Sequence, residues 1–137
     1  MIEVYLGFDV GIKKTGIALA NSLTNVATGI DVMLHHDGII NWHQLDEIIE
    51  QYSPVKLIVG IPFKSDGSKQ QMTFVARAFA RKLKKRYQLD VFEIDEYLSS
   101  NEAKKQLKYN HHHKNANRIE VDRKASEIIL QTWLNNS

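Results

Sequence analysis

The chain contains no cysteine. That excludes disulfides and thiolate metal sites, and it fits a reducing, cytoplasmic setting. No apolar run is long enough to cross a bilayer, so a membrane-spanning role is not expected. There are only two prolines, Pro54 and Pro62. No internal repeat or linker composition interrupts the sequence, so residues 1–137 are expected to form a single domain. The N-terminus enters strand pattern directly, without a charged-then-apolar leader, and an export signal is not expected. What is present is ordinary for a globular protein: 43% hydrophobic and 25% charged residues, enough apolar material for one core.

Net charge is only +2, but cations cluster. Between Arg77 and Arg86 lie six basic residues (Arg77, Arg81, Lys82, Lys84, Lys85 and Arg86) and no acidic one. A second basic stretch runs through Lys104, Lys105, Lys108, Lys114, Arg118, Arg123 and Lys124. Clustered cations favour phosphate-rich partners, although either run alone also suits a solvated helix face.

Hydrophobic periodicity predicts a strand over Glu3 to Val10, a tight turn over Gly11 to Lys14, and a strand over Thr15 to Ala20, together a hairpin. A third strand is expected over Val26 to Leu34. Asn41 and Gln44 have capping-box spacing for a helix whose apolar face is Leu45, Ile48, Ile49 and Tyr52, ended by Ser53-Pro54. Lys56 to Ile61 is apolar enough for a central strand covered on both faces. Ser68 and Gln71 have cap spacing for a second helix to Tyr87, with Met72, Val75, Ala76, Phe79 and Leu83 as its stripe. Asp90 to Asp95 is a further strand, and Ser99 to Glu102 opens a short helix. Lys108 to Arg118 has no apolar period and is expected to be a loop. Val121 to Leu134 is the last helix, with Val121, Ala125, Ile128, Ile129 and Trp133 inward. Hairpin-length links early and helical crossovers later imply a mixed five-stranded α/β sheet with helices on both faces.

In such sheets active residues collect at the carboxyl ends of strands. Asp9 stands near the end of the run Val4-Tyr5-Leu6-Gly7-Phe8, where a carboxylate is costly unless paired. Asp95-Glu96 and Asp122 also fall at element boundaries. Carboxylates from different elements are the ligands that Mg²⁺ or Mn²⁺ takes. Two such ions about 3.5–4 Å apart supply an activated water and charge relief for phosphodiester hydrolysis. Asp9, Glu96 and Asp122 are therefore the candidate catalytic and metal-binding acids, with Asp95 in reserve. Taken singly each has a plainer reading. Asp9 caps a turn, Asp95 and Glu96 are strand-end charges, and Asp122 favours the start of a helix.

Other motifs carry less. Gly11 to Gly16 has the glycine spacing of a phosphate loop, but Ile17-Ala18 stand where Lys-Ser/Thr is required, which rejects an NTPase site. Lys13 and Lys14 in that turn remain candidates for a phosphate backbone. Adjacent His111, His112 and His113 cannot all turn to one ion on a regular element. Ser65 and Ser68 lack a His-Asp context. Arg77, Arg81, Lys85, Lys114, Arg118 and Arg123 are the remaining candidates for nucleic-acid contact.

Four segments taken in order resemble a family. They are Phe8-Asp9-Val10-Gly11 with Thr15-Gly16-Ile17-Ala18; Ile58-Val59-Gly60-Ile61-Pro62 with Asp66-Gly67; Asp95-Glu96 with Leu98-Ser99-Ser100; and Asp122 with Ala125 and Ile128 to Leu130. Together they are similar to the bacterial YqgF-type proteins, pre-16S rRNA nucleases also described as Holliday-junction-resolvase-like. The resemblance implies an RNase H-like fold and a divalent-metal nuclease with Asp9, Glu96 and Asp122 as its acids. It also implies that Gly11, Gly60, Pro62, Ser99 and Ser100 shape the site. Two substrates follow from it: structured precursor rRNA, cut to mature the 5′ end of 16S rRNA, or branched DNA, which a homodimer rather than a monomer would resolve symmetrically. Tyr97 stands where the family has Arg and cannot offer a guanidinium fork to phosphate. That departure keeps a non-catalytic nucleic-acid-binding module as a further alternative.

Overall fold

The computed structural model describes residues 1–96 and 118–137, with the backbone only for 118–120 and 122. The predicted helix at Ser99, the histidine run and Lys114 lie outside the described residues.

The strands are β1 (Val4–Val10), β2 (Lys14–Asn21), β3 (Thr28–Leu34), β4 (Lys56–Ile61) and β5 (Asp90–Asp95). The helices are α1 (Trp42–Tyr52), α2 (Gln71–Tyr87) and α3 (Arg118–Asn135). The sheet order is β3-β2-β1-β4-β5. β1, β2 and β3 pair antiparallel, while β1–β4 and β4–β5 are parallel. This is the expected mixed sheet, and its connection lengths explain it: hairpin links join the antiparallel strands, and helices cross between the parallel ones.

Side-chain alternation assigns each strand residue to a face. Leu6, Phe8, Val10, Ile17, Met33, Leu57, Val59 and Ile61 form one core with Leu45 and Ile48 of α1 and Ala76, Phe79, Ala80 and Leu83 of α2. Tyr5, Ala18, Ala20 and Ile58 face the other way, against Ile129 and Leu130 of α3. Each large side chain so buried contributes roughly 1.5–3 kcal/mol.

The α3 face is built from small residues. A Cβ on Gly7 would stand 2.7 Å from Leu130 Cβ, one on Gly29 2.5 Å from the Arg123 carbonyl oxygen, and one on Gly60 2.6 Å from Ile129 Cδ1. The helix therefore lies almost on the backbone of the sheet. Trp133 closes its far end, edge-on to Tyr5 at 5.4 Å.

Three expected boundaries shift. β3 starts at Thr28, not Val26, because Asn25 takes a left-handed conformation (φ 54°) and the Ala27 N–H donates to Gln131 Oε1 at 2.9 Å. Ser68 does not cap α2. Its N–H and hydroxyl both donate to Asp66 Oδ1, at 2.8 and 2.6 Å, and Gln70 takes the cap position. There the Thr73 hydroxyl accepts from the Gln70 N–H at 3.0 Å and donates to the Pro62 carbonyl. The last helix begins at Arg118 rather than Val121, inside the segment expected to be loop. The Asn41 cap is as expected, with Gln44 N–H donating to Asn41 Oδ1 at 3.1 Å.

Candidate active site

Asp9 is the next-to-last residue of β1, opposite Gly16 of β2. Its alternation partners Tyr5 and Gly7 meet α3, so Asp9 belongs to the α3 face. Phe8 pairs with Val59, which puts Gly60 beside Asp9 on the neighbouring strand. β5 ends at Asp95, paired with Ile61, and Ile61 belongs to the opposite core. Asp95 therefore points away from α3, while Glu96, just past the end of β5, is hydrogen-bonded to Asp9. The carboxyl ends of β1, β4 and β5 thus bring Asp9, Gly60 and Glu96 together.

The two carboxyl groups are in contact. Burial, first, and then the neighbouring charge and hydrogen bond of Asp9 push Glu96 up to about 8, with a smaller push from Asp95. Two carboxylates cannot both ionise at this separation at low cost, so one proton is held between them. Asp9 and Glu96 form an all-oxygen donor pair at the carboxyl ends of the β1 and β5 strands. Such a pair is neutralised either by a proton or by a hard divalent cation.

Asp122 belongs to the second turn of α3, and its side chain lies outside the described residues. The helix passes over Gly29 of β3 at Arg123 and over Gly60 of β4 at Ile129. Position 122 is one turn before Ser126, which is fully buried against the sheet and donates to the Arg123 carbonyl at 2.8 Å. That bond explains how a hydroxyl is accommodated there. Among the described residues no group of three metal-ligating side chains forms.

The site-shaping residues have concrete partners. Gly11 is required by the hairpin turn, where a Cβ would stand 2.6 Å from the Lys14 carbonyl oxygen. Gly60 admits Ile129 beside Asp9. Pro62 is tied to α2 through Thr73, a fully buried hydroxyl that the sequence reading did not single out. Its spacing from Gln70 was the available signal. Ser99 and Ser100 lie outside the described residues.

The candidate cations divide. Lys14 alternates with Gly16 and so belongs to the acid face, half-buried, whereas Lys13 is exposed in the turn. Arg77 is paired with Glu93 at 3.4 Å and lies over the Phe63 ring at 5.3 Å. Arg86, from the same basic run, grips Asp46 with two bonds of 2.9 and 2.6 Å. Arg81 and Lys85 are exposed on α2, and Arg123 is exposed at the start of α3. Because α2 and α3 cover opposite faces, the α2 cations do not share a face with the acid pair. The side chain of Arg118 lies outside the described residues.

Residues 3–136 match the family described as "RuvX: Holliday junction resolvase". The chain belongs to this family. A relative named "Putative pre-16S rRNA nuclease" from Coxiella burnetii (strain CbuK_Q154) is 38% identical over 131 residues, covering 96% of this chain and 92% of that one. One of the same name from Haemophilus ducreyi (strain 35000HP / ATCC 700724) is 34% identical and covers 100% of this chain and 99% of its own. Among solved structures, Thermus thermophilus RuvC in complex with Holliday junction substrate superposes with a TM-score of 0.61 at 14% identity, covering 98% of this chain and 94% of that one. At that identity the likeness is one of fold, and this RuvX-family chain has the RNase H-like fold that its sequence predicts. Among the described residues, no helix is long and apolar enough to cross a membrane.

Proposed function

We propose that this chain is a divalent-metal-dependent nuclease that hydrolyses phosphodiester bonds in structured RNA, and that it matures the 5′ end of pre-16S rRNA in the cytoplasm as a single domain. The observation that carries the reading is the Asp9–Glu96 carboxyl pair, built from the carboxyl ends of two parallel-sheet strands. The nuclease activity agrees with family membership and with the names of full-length relatives.

In this reading Asp9, Glu96 and Asp122 would hold Mg²⁺ or Mn²⁺, and Asp95, the reserve acid of the sequence, is turned to the other face with Ile61. The donor chemistry fits, because oxygen ligands from separate elements suit these ions. When bound, the ions supply water activation and charge relief on the phosphate. Asp9 fixes one side of the site from a strand with neighbours on both sides. To serve as a ligand Glu96 would have to release the proton that burial and Asp9 hold on it. Lys14, on the same face, draws the phosphate backbone toward the acids.

The family description also carries a second reading, resolution of four-way DNA junctions, which requires two copies acting symmetrically. The discriminating experiment compares cleavage of a 5′-extended 16S precursor with a four-way junction, each with Mg²⁺, with Mn²⁺ and with chelator. The reading expects metal-dependent cleavage of the precursor, lost in Asp9→Asn. Junction cleavage alone would transfer the proposal to DNA. No cleavage by either wild type or Asp9→Asn would leave a binding module without catalysis, and full turnover by Asp9→Asn would refute the site assignment.

A further inference from the structure

On the side of the sheet opposite the acid pair, a cavity of about 350 Å³ opens between the β1–β2 turn, the segment after β3, and α2. Its walls include Val10, Ile12 and Ile40 facing Val75, Ala78 and Phe79 of α2. Gln71, the first residue of α2, and Lys82, three turns further along it, are both exposed and line the cavity. His35 is part of the wall. Its Nε2 lies 2.7 Å from the Thr15 hydroxyl, and its Nδ1 is buried with no hydrogen-bond partner among the described residues. An apolar slot with a few polar groups and one cation is the usual form of a site for a flat, partly polar ligand.

Its position narrows the ligand. Val10 and Gly11 line the cavity and directly follow Asp9 in the chain. The acid pair and the cavity are therefore the two sides of one strand end, with the exposed Lys13 in the turn that joins them. A strand drawn over this turn by Lys13 would bring an unstacked base to the apolar slot and its phosphate to Lys82.

We propose that this cavity receives one nucleobase of the substrate strand, extruded beside the cleavage site, with Lys82 holding the adjoining phosphate. The proposal rests on the nucleic-acid reading of the acid pair, and it assigns to α2 a binding role that the acids do not have. Base extrusion costs least in loops and at strand ends, so the cavity selects substrates that are single-stranded near the cut.

The test has a binding arm independent of catalysis. The full chain, without divalent ion, is titrated with a short single-stranded RNA and separately with AMP, while the amide resonances of Ala78 and Phe79 are followed. RNA is expected to shift both. In the cleavage arm, Ala78→Leu fills the slot and is expected to raise KM roughly tenfold, equivalent to losing about 1.4 kcal/mol of binding, with kcat unchanged. Lys82→Gln, an exposed change that does not threaten folding, is expected to lower the salt slope of RNA binding by about one. Absence of cleavage in every form would defeat the nuclease reading while the titration still judged the cavity. Unshifted Ala78 and Phe79 resonances with RNA would overturn the proposal. So would AMP binding that Ala78→Leu abolishes without any change in RNA affinity, which would mark a site for free nucleotide instead.

Discussion

Asp9→Asn should make the metal-free protein more stable at alkaline pH while abolishing cleavage. In the wild type Glu96 is pushed up to about 8, above the ordinary carboxyl range near 4.3. A raised acid binds more protons folded than unfolded across that window. Its contribution is complete below the unfolded value and is lost as pH rises through about 8. Each unit of the window is worth about 1.4 kcal/mol, so the loss between pH 5 and 9 is on the order of a few kcal/mol. Asparagine removes the neighbouring charge and offers an amide N–H to the ionised Glu96. Burial, the largest cause of the shift, remains. The alkaline decline should therefore shrink by about 1–2 kcal/mol, or roughly 3–8 °C in Tm for a domain of this size. Thermal denaturation of both proteins from pH 5 to 9, with chelator, measures it. Adding Mg²⁺ at pH 8 should stabilise the wild type and leave Asp9→Asn nearly unmoved. Equal slopes for the two proteins, or a destabilised Asp9→Asn at pH 9, would refute the shared-proton account.

Other consequences follow from named contacts. Gly29→Ala drives a methyl into the Arg123 carbonyl and should cost about 1–3 kcal/mol by denaturant melts. Thr73→Val leaves the Pro62 carbonyl and the Gln70 N–H without their partner, with an expected loss of about 1–3 kcal/mol and partial recovery in Thr73→Ser. Arg86 and Tyr87 hold Asp46 down at about 2, so its contribution is present at neutral pH and fades as pH falls through that value. Asp46→Asn should flatten the acid limb of a stability profile, by a modest amount because the pair is about two-fifths exposed. Neutralising Arg81 and Lys85 together should reduce the salt slope of RNA binding by up to about two.

Much of the fold was legible because each strand satisfied a local rule. The Val4–Val10 run, the glycine turn and the near-continuous apolar Lys56–Ile61 stretch admit few other arrangements. Asp9 stood out as a candidate because an acid at the end of such a strand needs a partner. The choice between Asp95 and Glu96 was not readable from their types. Register turns Asp95 to the face of its partner Ile61, and the chain bends into a helical turn at Glu96, which meets Asp9. The α2 start was misjudged because Asp66 drew Ser68 into a turn of its own, and the cap that replaced it depends on Pro62, which is far from helix signals. The basic run on α2 read as one patch. Packing divides it, committing Arg77 to Glu93 and Arg86 to Asp46 and leaving Arg81 and Lys85 exposed. The cavity beside His35 could not be seen in sequence at all, because it is the space between three segments.

The central claim is that carboxylates from β1, the end of β5 and α3 share divalent ions. Anomalous diffraction from crystals grown with Mn²⁺ tests it most directly. The account predicts density bridging the Asp9 and Glu96 carboxylates at about 2.0–2.2 Å, with an Asp122 oxygen in the same coordination sphere. Manganese bound elsewhere, or bound at the pair with Asp122 turned away from it, would contradict it.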